Sequence, residues 1–150
     1  MYKRQYQHYE ISNYALPGME SKHNSNYWRQ EKYLGIGPAA HSFNGASRQW
    51  NVAHNKKYID GVTIGQLNCE IEMLSNRERY NEYLLTGLRT HWGCEIKRIE
   101  SFGKSVADEY HKLANKLIEE QKLVVKDGFV FLSPHGKLLA DQIISELFIT

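Results

Sequence analysis

The run LVVKDGFVFL, residues 123–132, constrains this chain more than any other stretch. Two β-rich segments flank Asp127-Gly128, and Asp-Gly supplies the two positive φ angles that a tight hairpin turn needs. A lone hairpin is marginal in water, so it must pack on something apolar. The neighbouring sequence offers that surface. Residues 104–122 place Val106, Ala107, Tyr110, Leu113, Ala114, Leu117 and Ile118 on one stripe and predict a long amphipathic helix. Ser133 as cap and Pro134 in the first turn predict a closing helix, with Leu139, Ile143, Ile144, Leu147 and Phe148 turned inward. Upstream, Ser75 and Glu78 fit a capping box. The helix they open carries Tyr80, Leu84, Leu85 and Leu88 on one face and is expected to end near Trp92-Gly93. Residues 95–102, with Ile96 and Ile99, predict a shorter helix closed by Gly103. Three helices, a hairpin and a closing helix make a winged-helix-like unit over residues 75–150.

That order invites a nucleic-acid reading, because the helix before the hairpin is where a recognition helix would sit. The charges oppose it. Lys104, Lys112 and Lys116 are interleaved with Asp108, Glu109, Glu119 and Glu120, and Lys126 at the hairpin tip adjoins Asp127. Affinity for DNA needs a concentrated basic face, and a net charge of +2 over 150 residues supplies none. The expectation is no nucleic-acid partner. No apolar run approaches the roughly 20 residues that cross a membrane, and the N-terminus lacks the apolar core of a secretory signal. The two cysteines, Cys69 and Cys94, are too far apart for a CxxC pair and read as reduced thiols of a cytoplasmic protein.

The first half is different in character. Residues 7–14 read as one strand, with Tyr9, Ile11 and Asn13 on one side and His8, Glu10 and Ser12 on the other. Pro17-Gly18 forces a turn. In the polar, aromatic stretch that follows, a short helix would put His23 and Tyr27 on one face and Asn24 and Trp28 on the adjacent one. The run LGIGPAAHSF, residues 34–43, has small residues that let backbone approach a ligand or another element. It lacks the third glycine and the strand–turn–helix frame of a dinucleotide loop. Residues 44–75 read as a connector, with Asn44-Gly45 as a turn, a short strand at 48–51 and a helical turn at 55–59.

These blocks carry a resemblance. YEISNYA at 9–15, HNxxYW at 23–28, YLGIG at 33–37 and AHS at 40–42 resemble successive motifs of the HemW family, radical SAM proteins similar to oxygen-independent coproporphyrinogen III oxidases. Leu88-Arg89-Thr90 with Gly93, Phe102-Gly103, and Leu132, Gly136, Leu139, Asp141 and Ile143 resemble that family's C-terminal domain.

The resemblance implies an α+β fold: the end of a radical SAM (β/α) barrel at residues 1–50, a connector at 51–74, and a HemN-type winged-helix-like domain at 75–150. It implies that Met1 is not the first residue of the full-length protein. The preceding barrel would bind S-adenosylmethionine and hold a [4Fe–4S] cluster on a CxxxCxxC-like motif, whose ligands this chain lacks. Haem would be the cargo, delivered to haem-accepting proteins, with oxidative decarboxylation of coproporphyrinogen III as the alternative activity. The resemblance points to His23, Asn24, Tyr27 and Trp28 for haem, with His23 as a candidate iron ligand, and to Ala40 and His41 beside the S-adenosylmethionine or substrate cavity. The chain alone is expected to be catalytically inactive. Without the barrel, apolar surface around residues 9–43 would lie open and favour a homodimer.

Overall fold

The computed structural model describes residues 5–150. In chain order the elements are β1 (Gln7–Glu10), β2 (Asn13–Ala15), α1 (Lys22–Trp28), β3 (His41–Phe43), β4 (Ser47–Asn51), α2 (Asn55–Thr63), β5 (Cys69–Met73), α3 (Asn76–Gly87), β6 (Cys94–Glu95), α4 (Ile96–Ser101), α5 (Lys104–Glu119), β7 (Leu123–Lys126), β8 (Phe129–Leu132), a 3-10 turn (Gly136–Leu139) and α6 (Ala140–Glu146). They form two compact units. Residues 5–29 belong with 76–150, and Gln30–Ser75 forms the other. The fold is α+β, as the resemblance implied.

The larger unit holds the core. Tyr80, Leu84 and Leu88 from the α3 region meet Ile99, Tyr110, Leu117, Val130, Ile143, Ile144 and Leu147, all fully buried. Tyr80 lies edge-on to both Phe102 and Tyr110, and its hydroxyl donates to the Leu147 carbonyl at 2.8 Å. The stripe on α5 is inward as expected: Val106, Tyr110, Ala114 and Leu117 are buried. The hairpin forms with Asp127 and Gly128 at φ 52° and 81°, the two positive angles its turn demands. β6 pairs with the far side of β8, so the sheet order is β6-β8-β7.

Three boundaries differ from the sequence reading, each for a local reason. The helix α3 stops at Gly87, not near Trp92. The Thr90 amide and hydroxyl both cap the Gly87 carbonyl, at 3.0 and 2.7 Å. Gly87 also sits where a Cβ would fall 2.4 Å from the Cys94 sulfur, so the helix end packs hard on β6. The closing helix starts later than Ser133-Pro134. The Ser133 hydroxyl accepts from the Gly136 amide at 2.8 Å, at the start of the 3-10 turn that precedes α6. The third difference is at the N-terminal end. The expected single strand at 7–14 is a hairpin, because the Glu10 carboxylate folds back to accept the Ser12 amide at 2.9 Å and the Asn13 side-chain amide.

An irregularity in that hairpin between His8 and Glu10 turns both Tyr9 and Glu10 inward. β1 then lies against residues 89–91. The Ile11 amide donates to the Arg89 carbonyl, and the His91 amide to the Tyr9 carbonyl, both at 3.0 Å. Glu10 is met there by the Arg89 guanidinium at 3.1 Å, and Arg89 also reaches Asp141 at 2.7 Å.

The smaller unit is an antiparallel sheet, β3-β4-β5, with α2. The stretch that read as a connector therefore supplies two of its strands and its helix. Asn44-Gly45 is the turn between β3 and β4: the Asn44 carboxamide accepts the Ala46 and Ser47 amides at 2.9 and 2.8 Å. The glycine run is held by buried Asn51, whose side-chain amide donates to the Gly35 and Gly37 carbonyls at 3.3 and 2.9 Å. At Gly35 a Cβ would lie 2.1 Å from the His41 carbonyl oxygen, so the small residue serves a close backbone approach.

Candidate functional site

The helix α1 begins where the Ser21 hydroxyl accepts the Asn24 amide at 3.3 Å. That cap fixes the rotation of HNSNYW. His23 and Tyr27 stand on the open face one turn apart, with Tyr27 53% exposed. Asn24 and Trp28 are half-buried. Trp28 lies edge-on to Tyr9 with ring centroids 6.1 Å apart, and the Tyr9 hydroxyl accepts the Ser21 amide at 3.4 Å. The four candidate residues are thus split. Trp28 anchors the helix to β1, while His23 and Tyr27 present an imidazole and a phenol ring outward. An accessible imidazole beside an accessible aromatic ring suits axial ligation of haem iron and contact with a porphyrin face.

Ala40 and His41 belong to the smaller unit. The Ala40 amide donates to the Gly37 carbonyl at 3.3 Å, and the Ala40 carbonyl accepts the Asn51 amide at 3.0 Å. His41 opens β3, exposed, its ring 6.0 Å from that of Trp50. Both rings line a cavity of about 570 Å³ with Asn51, Leu67, Cys69 and Glu70. Asn51 Oδ1 is buried without a hydrogen-bond partner among the described residues. The lining is mixed, with apolar Ala39, Trp50 and Leu67 beside Asn51 and Glu70, and Ala40 is not part of it.

The cysteines do not fit an iron–sulfur cluster. Cys69 is half-exposed on β5, whereas Cys94 is fully buried in the core of the larger unit. Burial pushes the Cys94 thiol well above its ordinary value, which disfavours the thiolate that metals require. Burial likewise raises Tyr80 and Tyr110, far from the candidate residues in sequence and role.

Sequence reasoning passed over Lys22, Ser25, Arg29, His91 and Trp92, which line a second cavity on the larger unit. The Arg29 guanidinium lies over the Trp92 ring, 4.8 Å from its centroid. Arg29 directly follows HNxxYW and was visible there as a cation; its partner is 63 positions away, and no local pattern joins the two.

A family model for the HemN C-terminal domain matches residues 74–139. The haem chaperone HemW of Bacillus subtilis is 36% identical over 137 residues, covering 90% of this chain and 36% of the relative. The HemW haem chaperones of Lactococcus lactis and Mycobacterium tuberculosis are 35% and 32% identical, covering 83% and 93% of this chain. Among solved structures, coproporphyrinogen III oxidase (HemN) of Escherichia coli, a radical SAM enzyme, matches with a TM-score of 0.65 at 20% identity, over 95% of this chain and 37% of the enzyme. The chain spans about a third of the length of these relatives. The motif order, the family model and the relatives together place the chain in the HemW family, carrying a HemN C-terminal domain.

Proposed function

We propose that this chain is the C-terminal part of a haem chaperone, which binds haem on α1 and passes it to haem-accepting proteins. The observation that carries the reading is the outward presentation of His23 and Tyr27 by a capped helix in the HNxxYW motif, in a chain whose relatives are haem chaperones. A neutral imidazole on an open face can bind iron and also release it to a competing ligand, which is what delivery requires. The Ser21 cap on the Asn24 amide and the packing of Trp28 on Tyr9 hold that face in place.

In this reading the segments before residue 75 continue a radical SAM barrel, and 75–150 form the terminal domain. The [4Fe–4S] cluster and most of the S-adenosylmethionine site belong to the preceding barrel, with Ala40 and His41 at the cavity's edge. S-adenosylmethionine bound to the cluster supplies reductive radical chemistry in such proteins. This chain's own share is to bind the cargo and wall the cavity. No described helix is long and apolar enough to cross a membrane, and two unpaired thiols suit a cytoplasmic setting. Exposed Tyr14, Met19 and Tyr27 on the larger unit favour a homodimer of the isolated chain.

The competing reading is oxidation of coproporphyrinogen III. The full-length protein separates the two under anaerobic, reducing conditions. Haem transfer to an apo-acceptor without turnover of coproporphyrinogen is expected. Sustained decarboxylation would replace the chaperone reading with the oxidase one.

A further inference from the structure

A cavity of about 370 Å³ on the larger unit is lined by Lys22, Ser25, Asn26, Arg29, His91 and Trp92. Its chemistry is that of a donor site. The Trp92 face supports the Arg29 guanidinium at 4.8 Å, and the His91 ring braces Trp92 edge-on at 5.1 Å. Stacking holds the guanidinium plane and leaves its N–H edge for a bidentate carboxylate. Lys22 adds a second cation, and Asn26 a side-chain amide. Among the described residues, no carboxylate pairs with Lys22 or Arg29.

Ser25 gives an independent sign of a missing partner. It is 7% exposed, yet its hydroxyl has no hydrogen-bond partner among the described residues. A buried hydroxyl without a partner is unfavourable, and a ligand oxygen that reached it would relieve that. Glu20 is the one carboxylate on the lining, against two cations. Ser25 and Arg29 also belong to the helix that presents His23. Arg29 lies six residues beyond it, about 9 Å of helical rise and about 120° round the helix axis, so the cavity opens on the flank of α1 beside the face that carries His23.

We propose that this cavity is a carboxylate pocket, in which Arg29 and Lys22 take an ionised side arm of the porphyrin cargo and Ser25 donates to it. The proposal rests on the reading of α1 as the haem face. It adds a specificity device to it: His23 answers to the iron, and Arg29 to the acid groups at the ring's rim.

The test titrates the full 150-residue chain with iron(III) protoporphyrin IX and with its dimethyl ester, following the Soret band. The wild type should bind the free acid about tenfold more tightly than the ester, the scale of one charge-assisted bidentate contact. Arg29→Gln and, more weakly, Lys22→Gln should close that gap by weakening the acid alone. Glu20→Gln should widen it. Equal affinities in the wild type, or an unchanged gap in both cation variants, would overturn the pocket while leaving the haem face intact. Absence of binding by either porphyrin would remove both.

Discussion

Removing Arg89 should loosen the N-terminal hairpin from the terminal domain. Glu10 is 2% exposed at its side chain and Arg89 26%, with Nε and Oε1 at 3.1 Å. At an effective dielectric of about 20 their gross attraction is roughly 5 kcal/mol. Deleting one partner of a buried pair costs about 3–5 kcal/mol, because the other charge is stranded. Two features lower that here. Arg89 is partly solvated, and Glu10 keeps the Ser12 and Asn13 donors. Arg89→Ala should therefore cost about 2–3 kcal/mol. Asp141, on the other arm of Arg89, is 86% exposed, so Asp141→Asn should cost under about 1 kcal/mol. Urea unfolding gives the total, and hydrogen exchange at the Ile11 and His91 amides locates it, since both bonds tie β1 to residues 89–91. Equal, small losses in the two variants would refute the claim that the buried ion pair holds the hairpin.

Tyr80→Phe deletes the hydroxyl that caps the buried Leu147 carbonyl and should lower stability by about 1–2 kcal/mol in the same unfolding assay. Gly93→Ala should cost at least about 2 kcal/mol, since φ is 64° and a Cβ would fall 2.4 Å from the Val130 carbonyl oxygen; reduced chain stability by thermal melting is the readout. Alkaline pH should destabilise the protein. Cys94, ordinarily near 9.0, and Tyr80 and Tyr110, ordinarily near 10.0, are all raised by burial. The unfolded state thus loses these protons first, so stability holds below pH 9 and declines above it, by up to about 1.4 kcal/mol per pH unit per group. Melting curves from pH 8 to 11 should fall more steeply for the wild type than for Cys94→Ala.

The terminal domain was legible in the sequence where pattern and geometry share a period. The α5 stripe and the Asp127-Gly128 turn are local signals, and both are seen where expected. Helix ends were less legible, because Gly87 and Ser133 act through contacts with β6 and the 3-10 turn. The N-terminal hairpin was hidden for the same reason. Alternation of residues 7–14 suits one strand, but the Glu10 carboxylate bends it and then pairs with a residue 79 positions away. Glu10, Arg89 and Asp141 lie in three separate motif blocks of the HemW resemblance, and the structure joins them in one ion cluster. The candidate site divided in the same way. The i, i+4 relation of His23 and Tyr27 is a property of any helix. The burial of Trp28 on Tyr9, and the Arg29–Trp92 cavity wall, arise only from packing.

We propose that His23 on α1 meets haem iron. Soret titration of the chain with iron(III) protoporphyrin IX, wild type against His23→Ala, tests it most directly. A saturable shift in the wild type, weakened at least about tenfold in the variant, is the predicted result. Superimposable titrations, with the folded state of both confirmed by hydrogen exchange, would contradict it.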